Sequence, residues 1–264
     1  MATRVEVGRP AGSPAVVVAP LVAGFQWARE RSISIAYGVV YDQIFERFKP
    51  YRNLEEELRA LIDTAAGTTD RRNVRILDCG CGPGNFATML AEAGFGVVGL
   101  DTYAAVVDVA REKRRSRRLS NLAFTRADLA AGGGFRDAEF DQVISIHSLY
   151  VHPAPESVLR EAWRVLKPGG HLLVVNHTRR VCLRSSFREL WRREGLRSAI
   201  GALLWLVPNA VFEAARKPVG PHYWDEREFS NRLTALGFTV LEARRTFFDG
   251  ASVLVWARKD AQAR

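Results

Sequence analysis

The sequence predicts an α/β fold, a mostly parallel sheet covered by helices on both faces. Three observations predict it. From Val74 to Val175, short apolar runs bounded by turn residues alternate with amphipathic stretches of helical period. The first apolar run opens onto a glycine-rich loop that leads straight into a helix. Near the C-terminus, two strand-like runs are joined by Asp249-Gly250, a strong hairpin signal that closes the sheet with an antiparallel pair.

The elements follow in order. Residues 1–24 carry Pro10, Gly12, Pro14, Pro20 and Gly24 with little period, and read as an irregular arm. From Phe25 to Phe48, Ile33, Tyr37, Tyr41, Ile44, Phe45 and Phe48 fall near helical spacing. Asn53 is a candidate N-cap for a helix through Leu54, Leu58, Leu61 and Ile62. Strands are expected at 74–77, 96–100, 122–125, 140–146 and 172–175, with helices at 85–93, 103–118 and 156–166 between them. After Thr178 the rhythm breaks into an arginine-rich, apolar insertion over 179–224. A helix at 225–236, a stop at Gly237 and strands at 238–247 and 252–257 complete the pattern. The expected organisation is an arm with cap helices (1–52), a core (53–178), a helical lid (179–224) and a core completion (225–264).

Composition sets limits. The 264 residues are 47% apolar and carry a formal charge of +9. That charge invites a polyanionic partner. Only five of the 38 basic residues are lysine, however, and so strong an arginine excess fits GC-rich coding equally well. No specific nucleic-acid partner is expected, because no RNA-binding module accompanies the basic run Arg111–Arg118. Cys79, Cys81 and Cys182 suggest no disulfide framework, and a lone C-x-C pair makes no zinc site, so no metal is expected. No secretory signal is apparent, and the expected compartment is the cytoplasm.

The strongest motif is D-C-G-C-G-P-G over 78–84. Its glycines, Gly80, Gly82 and Gly84, permit positive φ and close approach of a ligand to backbone N–H groups. The spacing is not that of the dinucleotide fingerprint. Asp101, about 20 residues on at the end of the second strand, can accept hydrogen bonds from ribose hydroxyls. Further motifs are Ala127-Asp128-Leu129 after strand three, Phe140-Asp-Gln-Val-Ile-Ser145 at strand four, and Arg164-Val-Leu-Lys-Pro-Gly-Gly170 before strand five.

On these motifs, from Asn73 to Val175 and more loosely from Asp225 to Arg258, the chain resembles the class I S-adenosylmethionine-dependent methyltransferases, especially the ubiquinone/menaquinone biosynthesis group. The resemblance implies a Rossmann-like seven-stranded sheet whose last strand is antiparallel, and S-adenosyl-L-methionine as cofactor. It implies that Gly80, Cys81, Gly82 and Gly84 wrap the amino-acid part of the cofactor and that Asp78 meets its ammonium. Asp101 and Thr102 would face the ribose, Asp128 and Leu129 the adenine, and Ser145 would border the same site. Methyl acceptors in such folds lie beyond strands four and five. His147, His152 and His177 are therefore the candidate bases for a hydroxyl or acidic carbon, with a pH–rate limb near the ordinary histidine value. Tyr37, Tyr41, Tyr150, Trp205, His222 and Tyr223 are the candidate acceptor contacts. The apolar period Leu196, Ile200, Leu203, Leu204, Val207, Val211 reads as a lid over a small apolar acceptor, such as a quinone, isoprenoid, lipid or polyketide-like molecule. Its flanking arginines could rest on an anionic membrane surface. An RNA or protein acceptor, or non-methylating use of the same cofactor, stands as the alternative.

Overall fold

The structure, a computed structural model, describes residues 45, 48–178, 183–203, 207, 222–247 and 250–260. The expected arm, the helix from Phe25, Tyr37, Tyr41, Trp205, Cys182, Asp249 and most of 204–221 lie outside the described residues.

Seven strands form one sheet in the order β3-β2-β1-β4-β5-β7-β6. They are β1 (Arg75–Cys79), β2 (Gly96–Asp101), β3 (Leu122–Arg126), β4 (Phe140–Ile146), β5 (Leu166–His177), β6 (Phe238–Thr246) and β7 (Ser252–Lys259). β1 to β5 pair in parallel, and β7 runs antiparallel to both β5 and β6. The expected sheet and closing hairpin are both present. Chain order reverses between β1 and β4. In open α/β sheets a ligand site forms at that switch point, outside the carboxyl ends of the strands.

The period of two along each strand divides the core. Ile76, Ile144, Leu173, Val175 and Leu254 face one side, while Leu77, Val143, Leu172, Val174 and Val253 face the other. The first side is covered by α1 (Lys49–Ala66), α2 (Asn85–Glu92) and α3 (Ala104–Ser116). The second is covered by α4 (Pro155–Val165) and α7 (Glu226–Ala235). Strands buried on both faces need continuous apolar stretches, which Ile76-Leu77 in β1, Val143-Ile144 in β4 and Leu172–Val175 in β5 supply. Each large apolar side chain removed from water contributes about 1.5–3 kcal/mol.

Two local expectations are corrected. The helix expected to start at Asn53 begins at Lys49, because Pro50 fits a first turn, where its missing N–H is no loss. β5 starts at Leu166 rather than Leu172, since Phe140 pairs with Leu166 before the register shift near Gln142. Elsewhere the capping chemistry matches its position. Asp225 accepts from the Glu228 N–H at the start of α7 (2.8 Å). Asp141 accepts from the Arg75 N–H (2.8 Å) and Lys167 Nζ (2.7 Å), which ties β4 to β1 and β5.

In the insertion, α5 (Leu183–Glu194) is followed by helical residues 196–203, here α6. The apolar period there faces the opposite way from the expected buried lid. Ala199 and Ala202 are buried, whereas Leu196 and Ile200 are 48% and 55% exposed and Trp191 is 54% exposed. Small alanines let α6 lie close to the body while the large side chains point outward. Among the described residues no helix is long and apolar enough to cross a membrane.

Candidate functional site

Asp78, 2% exposed, is the penultimate residue of β1, and Asp101 ends the neighbouring β2 close enough for its charge to act on Asp78. Burial, and then the charge of Asp101, push the Asp78 carboxyl up to about 7. Its Oδ2 is buried without a hydrogen-bond partner among the described residues. Asp101 is also raised, chiefly by burial, against backbone N–H groups that oppose the rise. Its Oδ1 accepts from the Tyr103 N–H and its Oδ2 from the Gly82 N–H, both at 3.0 Å. The glycine loop is thereby pinned to the end of β2.

Gly80 has φ +75°, and a Cβ there would lie 2.3 Å from the Ser148 Cβ. Glycine is required on both counts. Ser148 itself donates to the Cys79 carbonyl (3.0 Å) and shares a 2.7 Å hydrogen bond with Ser145. Sequence reasoning missed Ser148. Its side chain fills the space beside Gly80 and ties the turn after β4 to the end of β1. At Gly82, by contrast, a Cβ would meet nothing within 4 Å among the described residues, which leave this side of the loop open.

The donor set fits S-adenosylmethionine. An uncompensated buried carboxylate suits an ammonium, an open glycine loop suits a close ligand, and a carboxylate at the next strand end suits ribose hydroxyls. The remaining expected cofactor contacts have the following surroundings. Leu129 is buried in the core with Leu77 and Leu100, since an apolar side chain at the start of a short 3₁₀ turn packs inward. The Ser145 hydroxyl is satisfied by Ser148. Thr102 is exposed, and its carbonyl accepts from Arg126 Nε at 3.2 Å. Cys81 is buried, with its thiol pushed well up by burial and then by Asp78. Asp128 caps the 3₁₀ turn through the Ala130 N–H (2.8 Å).

The three histidines separate. His152 does not join the other two. Its Nε2 lies 3.1 Å from Asp128 Oδ1, and its Nδ1 accepts from the Ala154 N–H at 3.0 Å. Both of its nitrogens are thus engaged away from His147 and His177. His147 and His177 stack at 4.2 Å with their rings 5° apart. Burial, then the neighbouring His177, lowers His147 well below 6.5, and burial takes His177 to about 4. Both rings are thus held below the ordinary histidine value expected from sequence. His147 also holds φ +50°, a left-handed backbone rare outside glycine, and Phe247 does the same at +53°.

An aromatic wall surrounds this pair. Tyr51 lies against Phe247 (4.8 Å between centroids) and edge-on to His147 (6.1 Å), and Phe45 packs against Phe86 (5.0 Å). Tyr150 meets His177 at 4.9 Å and stacks on Tyr223 at 6.0 Å. The His222 N–H donates to the Tyr150 carbonyl (2.7 Å), so the structure brings Tyr150, His222 and Tyr223 together. Tyr51 and Phe247 were not foreseen.

Comparison with known proteins agrees with this geometry. Residues 77–174 match the family model described as a methyltransferase domain. The chain is 34% identical over 125 residues to Methyltransferase GfsG of Streptomyces halstedii, covering 47% of this chain and 42% of that protein. It is 27% identical over 132 residues to a ubiquinone biosynthesis O-methyltransferase of Acinetobacter baylyi, covering 50% and 54%. The chain thus spans about half the length of these relatives. A solved S-adenosylmethionine-dependent methyltransferase from Methanosarcina mazei shares the fold, with TM-score 0.54 and 22% identity over 76% of this chain and 98% of that one. Residues 77–174 are a class I methyltransferase domain, of the S-adenosylmethionine-dependent kind.

At pH 7 the Asp78 carboxyl is about half protonated, and an ammonium bound beside it must ionise it. Binding of S-adenosylhomocysteine at pH 7 should therefore release up to about half a proton. Calorimetry in buffers of different ionisation enthalpy reads this directly, and Asp78→Asn should abolish it. Equal proton release in wild type and variant would remove Asp78 from the ammonium site.

Proposed function

We propose that this chain transfers the methyl group of S-adenosylmethionine to a hydroxyl of a small apolar acceptor. The observation that carries the reading is a polar, acid-lined cradle and an aromatic wall sharing the carboxyl end of the parallel strands, with His147 just past β4 in that wall. Asp78, Gly80, Gly82 and Gly84 would hold the amino-acid part of the cofactor, Asp101 the ribose, and Asp128 the adenine amine. The bound cofactor supplies an electrophilic methyl group on a sulfonium, so positioning alone accounts for much of the rate. Tyr51, Phe247, Tyr150 and Tyr223 exclude water and hold the acceptor's apolar body. His147 is kept neutral by burial, and its Nδ1, 3.5 Å from the Tyr51 hydroxyl, is the base for the acceptor proton. The name of the ubiquinone O-methyltransferase relative supports a hydroxyl acceptor.

The insertion supports delivery from a membrane surface. Trp191, Leu196 and Ile200 stand exposed beside exposed Arg188, Arg192 and Arg197, an interfacial pattern of apolar anchors and cations.

With an alkyl catechol, a long-chain fatty acid and a hydroxylated polyketide as probe acceptors, at least one should yield a methyl ether or ester. His147→Ala should lower turnover about a hundredfold at unchanged S-adenosylhomocysteine affinity. Normal turnover in a folded His147→Ala protein would return His147 to a packing role. In sedimentation with vesicles, the chain should bind anionic but not neutral lipid, more weakly as salt rises and in Trp191→Ala. No binding to anionic vesicles at low salt would leave the insertion without a membrane role.

A further inference from the structure

Behind His147 lies a second group that the reading above leaves unused. Ser252, 0% exposed at the start of β7, places its Oγ 2.9 Å from Nε2 of His147 and 3.0 Å from Nδ1 of His177. The arrangement is fixed from three strands. His177 and Ser252 are register partners across β5 and β7, so the sheet itself sets their contact. His147 is held by its N–H to the Val175 carbonyl (2.8 Å), and its left-handed backbone then turns the ring over His177. A non-glycine residue kept at positive φ carries a conformational cost that the surroundings must overcome.

We propose that Ser252 couples His147 and His177 into one proton relay, with His147 meeting the acceptor and His177 receiving the charge. The proposal rests on the reading of His147 as the base. A serine hydroxyl has one proton. If it donates to one ring nitrogen, the other facing nitrogen must carry a proton and donate to it. The two neutral rings are therefore locked in the same tautomer, with one facing nitrogen protonated and the other bare. With Nε2–H of His147 donating to Ser252 and Ser252 donating to Nδ1 of His177, Nδ1 of His147 is left bare. That is the nitrogen facing Tyr51 and the aromatic wall.

The step then balances. The acceptor O–H bond breaks, and its proton binds Nδ1 of His147. The Nε2 proton passes to Ser252 Oγ as the serine proton passes to Nδ1 of His177. His147 ends neutral with the opposite tautomer, Ser252 remains a hydroxyl, and His177 ends as the imidazolium. The displacement moves positive charge away from the methylated oxygen. The Ala251 carbonyl, bonded to His177, favours the charged form there, while burial keeps the pair neutral beforehand. The groups facing the pair are Tyr51 from α1, Tyr150 after β4, Phe247 at the end of β6 and Ser252 from β7. Ser252 acts as a positioning residue, since it touches neither acceptor nor cofactor.

The test uses the full chain, with no ligand for its first part. Long-range ¹H–¹⁵N imidazole spectra, assigned with His147→Gln and His177→Gln, should show one protonated and one bare nitrogen facing Ser252. In Ser252→Ala both rings should relax to independent tautomer mixtures, with S-adenosylhomocysteine affinity unchanged. Turnover of the methylated probe acceptor should fall tenfold or more, and Ser252→Thr, which keeps the hydroxyl, should recover part of it. Two bare or two protonated facing nitrogens in the wild-type spectra would overturn the relay whatever the variants do. Normal turnover in Ser252→Ala with loss in His147→Ala would overturn the relay and leave the base standing. Normal turnover in His147→Ala would overturn the base, and the relay with it.

Discussion

Asp78 and Asp101 lie at the carboxyl ends of adjacent parallel strands, and both carboxyl groups are buried within reach of each other's charge. Burial, and then the neighbouring charge of Asp101, resist ionisation of Asp78 and push its carboxyl up. The surrounding structure answers Asp101 with the N–H groups of Gly82 and Tyr103 and leaves one oxygen of Asp78 unanswered. The glycine loop must fold tightly to offer those groups, and Ser148 must stand beside Gly80 to keep the turn in place. The domain thus keeps a local electrostatic cost that a cationic ligand relieves.

The acceptor side works by the opposite means. Here polar groups are few, and they satisfy one another within an aromatic enclosure. His147, Ser252 and His177 form a neutral chain, and rings from α1, β6 and the turn after β4 enclose it. Backbone strain gathers at the same place, at His147 and Phe247, each just past the end of a strand. Low local dielectric strengthens whatever charge movement occurs there. The acid-rich cradle and this uncharged enclosure meet at the turn after β4, where Ser148 serves the first and His147 the second.

Much of this was legible in the sequence, for identifiable reasons. The period of two and the glycine loop are local signals, so the strands, the order of motifs, Asp78, Asp101 and the closing hairpin could be read directly. The start of α1 was misplaced because Asn53 offered a cap signal while Pro50 offered a competing one. Leu129 and Ser145 lay in the right segments, but which way each side chain turns is decided by packing from other strands. Ser252 carried no signal of its own. It meets His147 and His177 across 105 and 75 residues of chain, through a register no local pattern encodes. His152 was grouped with the wrong partners, since a histidine at a strand end looks the same whether it faces an acceptor or Asp128. The outward turn of Leu196 and Ile200 was hidden because an apolar helical stripe has the same period whichever way it faces.

The central claim is that a methyl group leaves the acid-lined cradle for a small apolar molecule. It is tested most directly by incubating the chain with methyl-labelled S-adenosylmethionine and a cell extract resolved into lipid, RNA and protein fractions. The account predicts label in an organic-soluble product, one methyl per molecule, in step with S-adenosylhomocysteine release. Label confined to RNA or protein, or cofactor bound without any transfer, would contradict it.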